Sequence, residues 1–202
     1  MAVIAFGQIW HMYIIGTTKS KFIRNKFFEV SFRGDGDDKA DRSDFEKLKT
    51  SAELHYLASI FNWDDDLNVL DWIISSPMCD KATALLIFWR AQPADYTEFE
   101  NENEVESFGV DAYRIVKKII NNVQTGFYKR SRIRFNPNSD EFDIHWINKK
   151  AKWTIPDQMK KGIIGLPVVS IEETTNVINL IATAIWGKLR RSFKRLKKRV
   201  MS

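Results

Sequence analysis

The sequence predicts an α+β protein that is predominantly α-helical, with a compact helical core, a small antiparallel strand pair and a long C-terminal amphipathic helix. Three observations predict it. Apolar residues recur every three or four positions through most of 45–123 and again over 178–200. Ser, Thr and Asp stand just before several of these runs, where a helix needs an N-cap. Alternation with a period of two is confined to short runs at 28–32, 131–135 and 141–146.

Composition sets the frame. A chain of 202 residues, 44% hydrophobic and 28% charged, buries a core without disulfide or metal staples. Three parts are expected: 1–42, an N-terminal segment with a short strand and a polar loop; 43–169, a central helical domain with the strand pair; and 170–202, the C-terminal helix. The single cysteine, Cys79, excludes an intrachain disulfide framework and suits the cytoplasm. It reads as a buried structural residue, with a reactive thiol as the alternative.

The first fifteen residues lack the basic n-region and cleavage site of a signal peptide. Gln8 and His11 interrupt their apolar run, which is short for a membrane span, so buried core is expected. Lys19, Lys21, Arg24 and Lys26 then interleave with Phe22, Phe27 and Phe28, and 28–32 reads as a half-buried strand. Stacking on single-stranded nucleic acid is the competing reading of this basic–aromatic mix. The glycine-broken run 33–42 reads as a loop. Its aspartates lack the order and terminal Glu of an EF-hand.

Ser43-x-x-Glu46 and Thr50-x-x-Glu53 both match the capping box, in which side chain and backbone satisfy each other's orphan groups. Phe45, Leu48, Leu54, Leu57, Ala58 and Phe61 supply an apolar stripe, on one helix or on two broken near Thr50. Residues 62–66 form a turn and 67–75 a short helix, stopped by Pro77. Asp80 caps a third helix over 81–91, apolar nearly all round and therefore central. A fourth runs from about 105 to 123, with Val110, Tyr113, Val116, Ile119, Ile120 and Val123 inward, and Gly126 ends it. The strand pair 131–135 and 141–146 flanks an Asn136-Pro-Asn-Ser-Asp turn, and 147–169 is irregular. Ser170-x-x-Glu173 caps the last helix, nearly uncharged to Trp186 and amphipathic and cationic beyond it.

The central stretch also carries a resemblance. Leu54-His55-Tyr56-Leu57-Ala58, Asn62-Trp63-Asp64-Asp65, Trp72-Ile73-Ile74 and Cys79-Asp80-Lys81-x-Thr83-Ala84-Leu85 resemble a bacterial family catalogued as a domain of unknown function. A weaker likeness continues through Ile133-Arg-Phe-Asn-Pro137 and Ile155-Pro-Asp-Gln-Met159. Where a Gly often follows the Asn-Trp-Asp-Asp turn, this chain has Asp66. The resemblance implies a small soluble bacterial domain of a kind met among immunity proteins of polymorphic toxin systems. Read from the residues themselves, Trp63, Trp72 and Trp89 are core, their N–H groups finding local acceptors. Asp64 and Asp65 end one helix and cap the next.

No residue is assigned to catalysis, a metal or a cofactor. His11, His55 and His145 are far apart and none forms a His-x-x-x-His pair. A Cys79–His55 nucleophilic pair would need both side chains within hydrogen-bond reach. Charge is more informative. The net +5 hides an asymmetry, because Lys188, Arg190, Arg191, Lys194, Arg195, Lys197, Lys198 and Arg199 lie together without an acid, leaving 23 basic and 26 acidic residues elsewhere.

The acidic candidates are Asp95, Glu98, Glu100, Glu102, Glu104 and Glu106. The function expected is that of an immunity protein that binds and occludes a basic cognate toxin through this surface, without chemistry of its own. The alternative is binding of nucleic acid or an anionic membrane through the basic helix. A third possibility pairs that helix with an acidic surface, on a partner or at 95–111 of this chain.

Overall fold

The computed structural model describes residues 12–28, 40–138, 142–172 and 174–175. At its centre is helix α5 (Lys81–Arg90), whose residues 82–89 are all buried. Asp80 caps it as expected, Oδ1 accepting from Ala82 N at 2.9 Å. A helix apolar nearly all round has no solvent face, so it must be surrounded. Its neighbours are α3 (Ser51–Ile60), α4 (Asn68–Ser75) and α6 (Val110–Gln124).

The helix break near Thr50 is real. The Thr50–Glu53 capping box forms, with Thr50 Oγ1 accepting from Glu53 N at 3.2 Å and Glu53 Oε2 from Thr50 N at 3.0 Å. At the other end of α3, Arg90 of α5 donates to Ala58 O and Ser59 O at 3.0 and 2.6 Å, satisfying carbonyls that a helix terminus leaves open. Lys118 and Asp71 pair at 2.6 Å between α6 and α4. Gly126, with φ of 68°, turns the chain away after α6 through a conformation that favours glycine.

Several local expectations are corrected. Ser43 is not a cap: Asp41 accepts from Ser43 N at 2.8 Å and starts α2 (Arg42–Phe45) two residues earlier. Asp66, not Asp64 or Asp65, sits at the head of α4, its Oδ1 accepting from Asn68 N at 3.0 Å. The fourth helix starts at Val110 and not near 105, because 3-10 turns at Pro93–Glu98, Glu102–Glu104 and Ser107–Gly109 occupy the acidic stretch. Trp89 Nε1 donates to Met159 O at 2.9 Å, but Trp63 Nε1 is buried without an acceptor among the described residues.

The strand expectations also change. The antiparallel pair over 131–135 and 141–146 does not form. Phe135 instead exchanges both backbone bonds with Ile163, at 3.0 and 2.8 Å, and Leu166 N donates to Arg132 O at 2.9 Å. Ile133 and Phe135 are thereby buried. The approach depends on Gly165: a Cβ there would fall 2.4 Å from the Arg132 carbonyl oxygen. The run 142–147 turns instead of pairing, Asp143 Oδ1 accepting from His145 N and Trp146 N.

The one sheet among the described residues is parallel. It joins β1 (Tyr13–Ile15) to β2 (Val168–Ser170), with Ile14 opposite Val169, and lies against α3. Helix α1 (Thr17–Ile23) follows β1 and runs into a π-helical turn, Arg24–Phe28. Phe28 therefore ends a helix and does not open a strand, while 29–32 lie outside the described residues. So do His11, Glu173 and the predicted basic helix at 188–199. Residues 171–172 and 174–175 are helical. No helix among the described residues is long and apolar enough to cross a membrane.

Candidate functional site

The residues that first draw the eye prove to be scaffold. His55 Nδ1 lies 3.0 Å from Thr83 Oγ1, and the Cys79 thiol donates to Asp80 O at 3.5 Å, so the two side chains are engaged elsewhere. Burial, with the Arg90 charge adding to it, lowers the His55 pKa to about 4. Burial also pushes the Cys79 thiol far above its ordinary range, which leaves it a poor nucleophile. Trp72 packs against Phe45, and the Arg42 guanidinium lies over both rings. Among the described residues, no three His, Cys, Asp or Glu side chains are grouped to hold a metal ion.

The acidic stretch forms a shaped surface. It leaves α5 through Gln92, the one described non-glycine residue at positive φ, 51°. Its backbone is then tied down on both sides. Tyr113 Oη donates to Glu100 O at 3.0 Å, Trp153 Nε1 to Phe99 O at 3.0 Å, and Lys152 N to Thr97 O at 2.7 Å. Gly109 fits against Val105 Cγ1 and the Tyr96 ring, which meets Tyr113 edge-on at 6.1 Å.

These carboxylates are not equivalent. Glu102 pairs with Arg114 at 2.8 Å, Glu104 with Lys152 at 2.8 Å and Glu98 with Lys150 at 3.9 Å. Arg114 and Lys152 accordingly hold Glu102 and Glu104 below the usual carboxylate range. Asp95, Glu100 and Glu106 form no ion pair among the described residues. Burial and the Glu98 charge raise the pKa of Asp95. Between Glu106 and α6 stands Phe108, 86% exposed. The sequence carried a signal for it, since Phe108 is a large apolar residue that precedes the inward stripe Val110–Val123 and is not part of it.

Two features escaped the sequence reading. A cavity of about 320 Å³ opens between the Pro93–Glu98 turn and 142–146, with Trp89, Asp95, Phe142 and Trp146 in its walls. On another part of the surface, Lys129, Arg130, Arg132 and Arg134 are exposed in the segment leading to Phe135. Arg130 and Arg132 share a cleft of about 440 Å³ with Lys19 and Lys49. Cations are thus gathered on the folded body as well as at 188–199.

Residues 49–123 match the model of a family described as Domain of unknown function (DUF4274). The match spans α3 to α6 and so includes the helical scaffold and the acidic stretch. It stops before the 129–134 cations and before the wall formed by Phe142 and Trp146. No curated protein and no solved structure gives a match.

Proposed function

We propose that this chain is a protein-binding module of the toxin-neutralising kind, an immunity protein that occludes a basic cognate toxin with the surface 95–108. The observation that carries the reading is Phe108, 86% exposed beside Glu106, which has no ion-pair partner among the described residues. A large exposed aromatic beside an uncompensated carboxylate suits the anchor of a protein interface. Uncompensated negative charge steers a cationic partner and rejects acidic ones. The backbone ties at Thr97, Phe99 and Glu100 fix this surface in advance, which reduces the ordering cost of association.

The test is co-expression with the toxin domain expected from the neighbouring upstream gene. The parent chain should rescue growth and form a one-to-one complex. Phe108→Ala with Glu106→Lys should weaken that complex at least tenfold while leaving the melting temperature unchanged. Absence of an adjacent toxin gene together with absence of rescue would refute the reading.

The exposed cations at 129–134 favour a second reading, binding to an anionic surface such as nucleic acid or membrane, in concert with the basic residues 188–199. Deleting 188–202 and reversing Arg130 and Arg132 to Glu should then abolish retention on heparin or anionic vesicles at low salt. Unchanged retention would sink it.

A further inference from the structure

We propose that the cavity between the Pro93–Glu98 turn and residues 142–146 receives a cationic side chain of the partner protein. The proposal rests on the protein-binding reading above and gives that surface a specificity pocket.

The chemistry of the walls carries it. Three aromatic side chains, Trp89, Phe142 and Trp146, line the cavity together with two carboxylates, Asp95 and Asp143, and no basic residue among the described residues lines it. Aromatic faces attract cations through the ring quadrupole, and more so where water is excluded. Carboxylates in the same walls supply the countercharge and the acceptors that a guanidinium or ammonium group needs. An anion would meet two like charges, and a neutral apolar group would strip water from them without compensation. At about 320 Å³ the cavity lies near the lower end of the range that holds a small ligand, which suits one side chain.

The walls are also fixed in place. Trp89 is locked by its bond to Met159 O and by an edge contact with Phe88 at 5.4 Å. Phe142 packs on Phe135 at 5.8 Å. Asp143 orders the backbone at His145 and Trp146, and the Trp146 side chain remains 46% exposed at the mouth. Partial burial and the neighbouring Glu98 charge raise the Asp95 pKa, and a cation entering beside it relieves that cost. A second hollow of about 200 Å³ adjoins the first, sharing Ala94 and Trp146 and bounded by Ile147 and Trp153. Ile144, Ile147 and Ile155 give it apolar walls that fit a bulky apolar neighbour of the cationic residue, so the recognised partner segment carries the two side by side.

The test uses the full chain and two small probes, N-acetyl-arginine methylamide and its citrulline counterpart, which has the same shape without the charge. Binding is followed by the NMR signal of the Trp146 indole N–H. The arginine probe should shift that signal saturably, with the citrulline probe at least tenfold weaker. Asp95→Asn should cut arginine affinity about tenfold. In Trp146→Ala the Trp89 indole signal should no longer respond, with the melting temperature of both variants retained. Equal binding of the two probes, no saturable binding, or unchanged binding in both variants would overturn the proposal. Probe binding without toxin rescue would keep the pocket and reject the toxin reading. Rescue without probe binding would keep the toxin reading and reject the pocket.

Discussion

Replacing Asp80 tests the junction on which the fold depends. This side chain is 1% exposed and makes two bonds, Oδ1 accepting from Ala82 N at 2.9 Å and Oδ2 from Arg132 N at 2.8 Å. One caps the central helix, while the other ties the 130–135 segment to it across fifty residues. Removing an N-cap costs about 1 kcal/mol. Leaving the Arg132 N–H without its charged acceptor costs about 1–3 kcal/mol, taken near the middle because that site is only partly buried. Asp80→Ala should therefore lose about 3 kcal/mol, which for a chain of this size lowers Tm by roughly 6–12 °C. Asp80→Asn keeps an oxygen for Ala82 N but turns an amide N–H₂ toward Arg132 N or forgoes that bond, so it should lose about half as much. Urea titration followed by tryptophan fluorescence measures both, with an unchanged slope showing that stability alone has moved. An Asp80→Ala variant within about 0.5 kcal/mol of the parent would refute the claim that this carboxylate joins the two segments.

Other consequences follow from the same geometry. Gly165→Ala places a methyl 2.4 Å from the Arg132 oxygen and should cost about 2–4 kcal/mol by forcing the backbones apart. Gly162→Ala, whose Cβ would stand 3.3 Å from Phe135 O, should cost less, and thermal unfolding of the pair ranks them. Because the His55 pKa is depressed to about 4 when folded, the unfolded chain binds the extra proton between pH 6.5 and pH 4. Its contribution is thus fully present above pH 6.5 and lost as pH falls through that window, by up to about 3 kcal/mol, and His55→Gln should flatten the dependence. Cys79 should fail to react with a thiol-specific disulfide reagent in the native protein and react promptly in denaturant. Rapid native labelling would contradict its burial.

What could be read in the sequence was whatever is decided within one helical turn. Thr50 with Glu53, Asp80 before Ala82, and the apolar periods of α3, α5 and α6 are local, and each appears in the structure. Position shifted where two caps competed, as at Asp41 and Ser43, or where tight 3-10 turns mimic a helix start at 102–109. Pairing between distant segments was not legible. The alternation at 131–135 marked an extended run correctly, yet its partner lies at 163–166, selected by Gly165 and by the need to bury Ile133 and Phe135. The three-residue strands 13–15 and 168–170 are too short to show a period. Of the candidate surface, the acidic residues were visible in composition. Which of them stay uncompensated was not, because Arg114, Lys150 and Lys152 approach from elsewhere. The aromatic cavity was invisible for the same reason, since its walls come from residues some fifty positions apart.

The parallel pairing of β1 with β2 has a mechanical consequence. Tyr13 faces Val168 and Ile15 faces Ser170, so the chain enters the pair at one end and leaves it at the other. Tension applied through residue 12 and residue 171 would slide the strands along one another, loading their hydrogen bonds together. An antiparallel pair held at one end would peel open one bond at a time. Helix α3 packs on both strands, so the same pull reaches the helical core only after this clasp has sheared. Resistance to stretching thus resides first in the six paired residues of this clasp and only then in the helices behind it.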